Sequence, residues 1–216
     1  MIPWRVRNFL SEHFPLLYHY AVNVGRQGNN QAHWDHQLAL DWNNENRSWP
    51  RKTQLIADLT KTKNRIIDIG CGNGSILRAL KGRGYEYLHG LELSQYAIRR
   101  LTEEGIVMHH GELPTIPLDD AAFDVAIASQ VLEHIVRRKA FLVEIRRILK
   151  PGGQALIFVP DNCLGPIDEP EHVVKFTETS LRRLVEKFFR VVEIRSLQDQ
   201  HHPMSILFAR LEKTEN

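Results

Sequence analysis

With 216 residues, 43% of them hydrophobic, the chain can bury one sizeable core but is short for two, so a single domain with an extension is expected. Lys and Arg number 28 against 26 Asp and Glu, and a net charge of +2 lacks the basic excess of a binder of nucleic acid or anionic membrane. Two cysteines, Cys71 and Cys163, give neither a disulfide framework nor close metal-ligand spacing, so no metal is expected and a reducing, cytoplasmic setting is.

Residues 1–60 hold all four tryptophans (Trp4, Trp34, Trp42, Trp49) and the polar run "NNENRS" without a two-residue period, which predicts a mostly helical extension. Glu12, His13 and His19 interrupt the apolar run near the N-terminus, which argues against a signal peptide. No segment approaches the roughly 20 apolar residues of a membrane span. Over residues 61–216 the pattern changes to short β-type runs alternating with helical ones. "RIIDI" predicts a strand, "GSILRALKGRG" a helix, "YLHGLE" a strand, "SQYAIRRLTEEG" a helix and "IVMHH" a strand. Then come "FDVAIAS" as a strand, "RRKAFLVEIRRILKPGG" as a helix stopped by Pro-Gly-Gly, and "QALIFVP" as a strand. "TETSLRRLVEKFF" predicts a helix capped by Thr177 or Thr179, and "RVVEIRSL" and "MSILFARLE" predict two final strands. The expected fold is α/β, a seven-stranded, mostly parallel Rossmann-like sheet with helices on both faces.

"RIIDIGCGNGSIL" concentrates the chemistry. Gly70, Cys71, Gly72, Asn73 and Gly74 form the turn between a buried strand and a helix, at the carboxyl edge where open α/β sheets bind ligands. Glycine suits a backbone that must take positive φ or lie against a ligand; the bland alternative is a tight turn with no ligand. The spacing is G-x-G-x-G, with Ser75 where a dinucleotide-binding loop would place its third glycine, which argues against NAD.

"IIDIGCGNG" resembles the first motif of the class I S-adenosylmethionine-dependent methyltransferases, hydrophobic-hydrophobic-Asp-x-Gly-x-Gly-x-Gly. The resemblance extends over about residues 64–212 and implies S-adenosyl-L-methionine as cofactor. It places Asp68, Gly70, Cys71, Gly72 and Gly74 at the methionine part and ribose, with Glu92, in "HGLELS", accepting the ribose hydroxyls. "GELPTIPLDDAAFDVAIASQVLEHI" is similar to the small-molecule (type 11-like) branch, which implies Glu112 at the adenine amino group, Leu113 and Leu93 against the ring, and Ser129 and Gln130 near the transferring methyl. Glu112 departs from that branch, which has Asp there.

Methyl transfer from a sulfonium is an in-line displacement with a good neutral leaving group, so alignment is the main demand. A base is needed only where the nucleophile must lose a proton, and His134 and His172 are the two candidates; His134 can instead brace its loop. Glu133 reads as an orienting or solvated carboxylate. Arg137, Arg138, Lys139, Arg146, Arg147 and Lys150 read as the wet face of an amphipathic helix. Tyr18, Tyr20 and Trp34 are candidates for an acceptor pocket closed by the extension, the other reading being that the tryptophans only glue it to the sheet. The chain has "SQVLEH" where methyltransferases of base amino groups carry an Asn/Asp-Pro-Pro-aromatic motif, so a small-molecule acceptor is expected rather than nucleic acid. The alternatives are a noncatalytic cofactor-binding partner protein and a nicotinamide-dependent oxidoreductase.

Overall fold

A computed structural model describes residues 6, 9–10, 13–14, 17, 30–44, 49–161, 172–198 and 205–214. Trp4, Tyr18, Tyr20 and Cys163 lie outside the described residues. Among the elements whose bounds are described, helices α1 (Gln31–Asp41) and α2 (Pro50–Leu59) come first. They precede β1 (Ile66–Ile69), α3 (Ser75–Lys81), β2 (Leu88–Glu92), α4 (Gln95–Glu103), β3 (Val107–His110) and β4 (Phe123–Ser129). A 3-10 turn (Leu132–His134) leads to α5 (Arg138–Ile148), β5 (Leu149–Pro160), α6 (Glu178–Val185), β6 (Arg190–Gln198) and β7 (Ser205–Glu212).

The seven strands form one sheet in the order β3-β2-β1-β4-β5-β7-β6. Strands β1 to β5 pair in parallel, while β7 runs antiparallel between β5 and β6. The sheet is therefore mixed rather than wholly parallel, and the strand order reverses between β1 and β4, the switch point at which such sheets open a crevice.

Alternation along the strands divides the core in two. Ile67, Ile69, Ala126, Ala128, Ile157 and Val159 pack on one face with Phe141, Leu142 and Ile145 of α5. Ile66, Val125, Ile127, Leu156 and Phe158 pack on the other with Leu77 and Leu80 of α3 and with Leu38, Trp42 and Ile56 of α1 and α2. The N-terminal helices are thus part of the second core layer. Trp42, 5% exposed, accepts a hydrogen bond on its carbonyl from Asn73 Nδ2 (3.4 Å) and lies under the Arg78 and Arg100 guanidinium groups. Trp42 therefore does act as glue.

Helix starts follow their caps. Ser94 accepts from the Ala97 amide at the head of α4, and Thr177, not Thr179, caps α6 in a reciprocal box with Ser180. The end of α5 differs from expectation. The helix stops at Ile148 and β5 starts at Leu149, so Pro151, Gly152 and Gly153 lie inside a strand rather than forming the helix stop. The break comes earlier because Leu149 is fully buried and pairs with Phe123 of β4.

The basic cluster on α5 is a tie more than a wet face. Arg147 donates to the carbonyls of Ile116 (2.7 Å) and Leu118 (2.6 Å) and pairs with Glu144 and Asp120. Arg146 donates to the Phe188 carbonyl and Arg138 to that of Ile135. These cations hold the loop before β4 and the segment after α6 against α5.

Candidate active site

At the carboxyl ends of β1, β2 and β4 lies a cavity of about 980 Å³. Asp68 is the last residue but one of β1 and is 2% exposed. Burial, and then the like charge of Glu92 against the opposing pull of Lys52, pushes its carboxyl up to about 7. Gly70, Gly72 and Gly74 all take positive φ (67°, 54° and 73°) in the turn that follows.

The glycines have different reasons. A Cβ on Gly70 would sit 2.7 Å from Val131 Cγ2, and one on Gly74 would overlap Leu101, so both are required by packing inside the protein. At Gly72 the nearest atom to such a Cβ is Leu38 Cδ2, at 3.8 Å. Gly72 is therefore the member of the three whose bare face borders open space, and the ligand-based reason for glycine narrows to that position.

Glu92 ends β2 and is 7% exposed. Its carboxylate accepts from the backbone amides of Gly72 (2.9 Å), Leu93 (2.8 Å) and Ser94 (3.0 Å). A carboxylate has about four acceptor positions, so three are filled by the chain itself and about one faces elsewhere. The acid organises the glycine turn and has little left over, less than full acceptance of two hydroxyl groups requires without sharing.

Leu93, Glu112, Leu113, Ser129, Gln130, His134, His172 and Trp34 all line the same cavity, with Asp68, Gly70, Cys71, Gly72 and Glu92; of the residues expected at the site and described, Gly74 alone stands behind the lining. Cys71 is a buried free thiol whose ionisation burial pushes far up, so it is inert packing. Gln130 takes φ of 59° just past the end of β4, and its Nε2 is buried without a partner among the described residues, which leaves a donor for a ligand.

Past Gln130 the cavity turns aromatic. The Trp34 indole meets His134 edge-on at 5.7 Å between ring centres, and His134 meets His172 at 4.7 Å. The bond from the Val173 amide to the Glu133 carbonyl (2.8 Å) seats His172 beside the 3-10 turn. Burial, then His134 and Lys175, pushes the His172 imidazole down to about 2, which keeps it neutral at neutral pH and makes it a hydrogen-bond acceptor more than a proton carrier. Glu133, expected to be orienting or solvated, is only 1% exposed, which removes the solvated reading.

Lys52 went unnoticed in the sequence. It is 6% exposed, donates from Nζ to Ser129 Oγ (2.6 Å) and lies over the Trp49 ring at 4.0 Å. "WPRKTQ" signals a helix start through Pro50, but nothing in its spacing says that the lysine turns inward beside Asp68. Asp35 was missed too; it accepts from Ser94 Oγ (2.6 Å) and the Tyr96 amide (2.9 Å), pinning α1 to the head of α4 beside the glycine turn.

The raised Asp68 carboxyl has a consequence for stability. Because its folded value near 7 exceeds its unfolded value near 4, the folded protein binds more protons between those limits, and the stability this group contributes is lost as pH rises from about 4 to about 7. The unfolding free energy of the wild type relative to Asp68→Asn, measured in urea, is expected to fall across that window and level off above it. A flat difference would remove the burial argument.

Residues 67–157 match a family described as "Methyltransferase domain". The chain is 29% identical over 131 residues to the 24-methylenesterol C-methyltransferase 2 of Oryza sativa subsp. japonica, covering 56% of this chain and 36% of that protein. It is 32% identical over 114 residues to the tRNA (carboxymethyluridine(34)-5-O)-methyltransferase ALKBH8 of Mus musculus, covering 51% of this chain and 17% of that protein. The matches thus span well under two thirds of these relatives' own length. A methyltransferase solved in complex with the Haloferax volcanii Trm112 methyltransferase activator superposes with a TM-score of 0.74 at 19% identity, over 84% of this chain and 98% of that one. The match over residues 67–157, with the sheet order in agreement, supports a class I S-adenosylmethionine-dependent methyltransferase domain there.

Proposed function

We propose that the protein transfers a methyl group from S-adenosylmethionine to a small-molecule acceptor. The observation that carries this reading is the charge and shape of the cavity. Three acidic side chains (Asp41, Glu92 and Glu112), with Asp68 raised to about 7 beside them, line it against two cations (Lys52 and Arg137), which suits a cationic sulfonium and opposes the pyrophosphate of a dinucleotide.

The residues present fit the cofactor. Gly72 offers bare backbone, Glu92 about one remaining acceptor position, Glu112 a carboxylate beside apolar Leu93 and Leu113, and Gln130 an uncommitted amide donor. When bound, the cofactor supplies an electrophilic methyl on a good leaving group. The chain then has to orient and to exclude water. Lys52 and Ser129 tie α2 to the end of β4 at the cavity wall, and Glu92 holds the glycine turn through the Gly72 amide. Residues 1–60 serve as an acceptor-side lid on residues 61–216, with Trp34 over His134 as its described contact and Tyr18 and Tyr20 as further members; the free Cys71 thiol accords with a cytoplasmic setting.

The mouse relative named for tRNA gives a second acceptor class. Incubating the protein with methyl-labelled S-adenosylmethionine and either a panel of small hydroxyl and amine compounds or total tRNA separates the two. Label is expected in a small molecule, and label in tRNA alone would replace this reading with the second. For the productive acceptor, Trp34→Ala is expected to keep cofactor affinity within a few-fold and to depress turnover, with the melting curve unchanged. Full turnover, or loss only through unfolding, would reduce Trp34 to packing.

A further inference from the structure

We propose that Glu133, His134 and His172 form a binding site for a divalent first-row transition cation, such as Zn²⁺ or Co²⁺, at the acceptor end of the cavity. Among the described residues these three bring one carboxylate oxygen and two imidazole nitrogens within 4.8 Å of one another. Metal–nitrogen and metal–oxygen bonds of about 2.0–2.2 Å put tetrahedral ligand atoms roughly 3.3 Å apart, so side-chain adjustments of about an ångström would gather the set. Two histidines and one carboxylate on one side of a cation leave its other positions open, an arrangement suited to binding a further oxygen ligand.

The placement supports the site. Glu133 and His134 lie in the short turn closed by the His134 amide on the Val131 carbonyl (2.9 Å), and the amide following His172 is bonded to the Glu133 carbonyl. Backbone hydrogen bonds therefore hold both ligand segments. His134 and His172 line the cavity, so an acceptor in it reaches the open coordination positions, and Trp34, which also lines it, meets the His134 ring edge-on. The second histidine pair, His89 and His109, shows the contrast. Those rings stack at 5°, His89 Nδ1 and His109 Nε2 are already hydrogen-bonded at 3.0 Å, and Arg65 donates to His89 Nε2. Among the described residues no carboxylate joins that pair within reach of a shared ion, and a guanidinium lies beside it, so it is a structural contact.

The consequence for chemistry rests on the methyltransferase reading above. A hydroxyl oxygen bound to the cation loses its proton to solvent water at a lower pH than it would free. Its lone pair then forms the carbon–oxygen bond while the methyl–sulfur bond breaks, the electron pair staying on sulfur. The acceptor class this favours is an alcohol, phenol or ribose hydroxyl, and no histidine need act as base.

The test uses the full chain, stripped of metal with a chelator and titrated with Co²⁺ by visible absorption and calorimetry. One equivalent is expected to bind with a ligand-field spectrum. His172→Ala and, as a second variant, Glu133→Gln are expected to weaken binding by more than about 10-fold, while His109→Ala leaves it unchanged. S-adenosylhomocysteine titrated into the same samples without metal reports the cofactor site and folding. Failure of wild type to bind Co²⁺, or equal binding by a folded His172→Ala and Glu133→Gln, overturns the site. Co²⁺ binding with no nucleoside binding upholds it and overturns the methyltransferase reading alone.

Discussion

Replacing Glu92 by Ala is expected to weaken binding of S-adenosylhomocysteine about 10- to 100-fold. Hydrogen bonds to a charged acceptor contribute about 1.5–3 kcal/mol, which converts to that range. The effect has two sources. The proposed contact with the ribose is removed, and so is the acceptor of the Gly72, Leu93 and Ser94 amides, which sets the glycine turn against the end of β2. Calorimetry gives the affinity and a urea curve gives the accompanying loss of stability. Glu92→Gln separates the sources: it keeps one oxygen for the chain's own amides but loses the charge. An unchanged dissociation constant in folded Glu92→Ala would mean that this carboxylate faces no ligand.

Gly70→Val is expected to destabilise the fold by about 2–5 kcal/mol, the largest loss anticipated for a single substitution outside a core side chain. Holding a side-chain-bearing residue in the left-handed region costs about 1–2 kcal/mol, and Gly70 sits there at φ of 67°. Inserting methyl groups where Val131 Cγ2 already lies 2.7 Å from the new Cβ adds about 1–3 kcal/mol of overpacking. Gly72→Ala probes the other half of the argument. It shares the positive φ but has open space, so it is expected to cost less stability while lowering nucleoside affinity. Equal losses of stability at both positions would erase the distinction between a packing glycine and a ligand-facing one.

These glycines show how the fold was legible. Short continuous apolar runs located the inner strands, because a strand buried on both faces has little tolerance for polar residues; "RIIDI", "FDVAIAS" and "QALIFVP" became β1, β4 and β5. Periodicity misplaced the end of α5, since Lys150, Pro151 and the two glycines look like a helix stop while Leu149 is already paired with Phe123. It misread Arg147 as solvated, because the acceptors of its guanidinium are main-chain carbonyls that no side-chain pattern announces.

The site was legible where one turn holds it. "IIDIGCGNG" carries the residues around Asp68 in consecutive order, and Glu92 follows as the last residue of the neighbouring strand. Lys52 was hidden because its hydrogen-bond partner, Ser129, lies 77 residues further along the chain. The triad of Glu133, His134 and His172 was hidden for the same reason: two members are adjacent, but the third returns only after α5 and β5 have been laid into the sheet. Close metal-ligand spacing in sequence is one way to build such a cluster, and a strand crossover is another.

The central claim is that the cavity between β1, β2 and β4 is built for S-adenosylmethionine. Isothermal titration of the purified chain with S-adenosylmethionine, S-adenosylhomocysteine and NAD in parallel tests it most directly. The expected result is one equivalent of each sulfur nucleoside bound, with NAD silent because its pyrophosphate meets Asp41, Glu92 and Glu112. Tight binding of NAD with no heat from either nucleoside would contradict the claim.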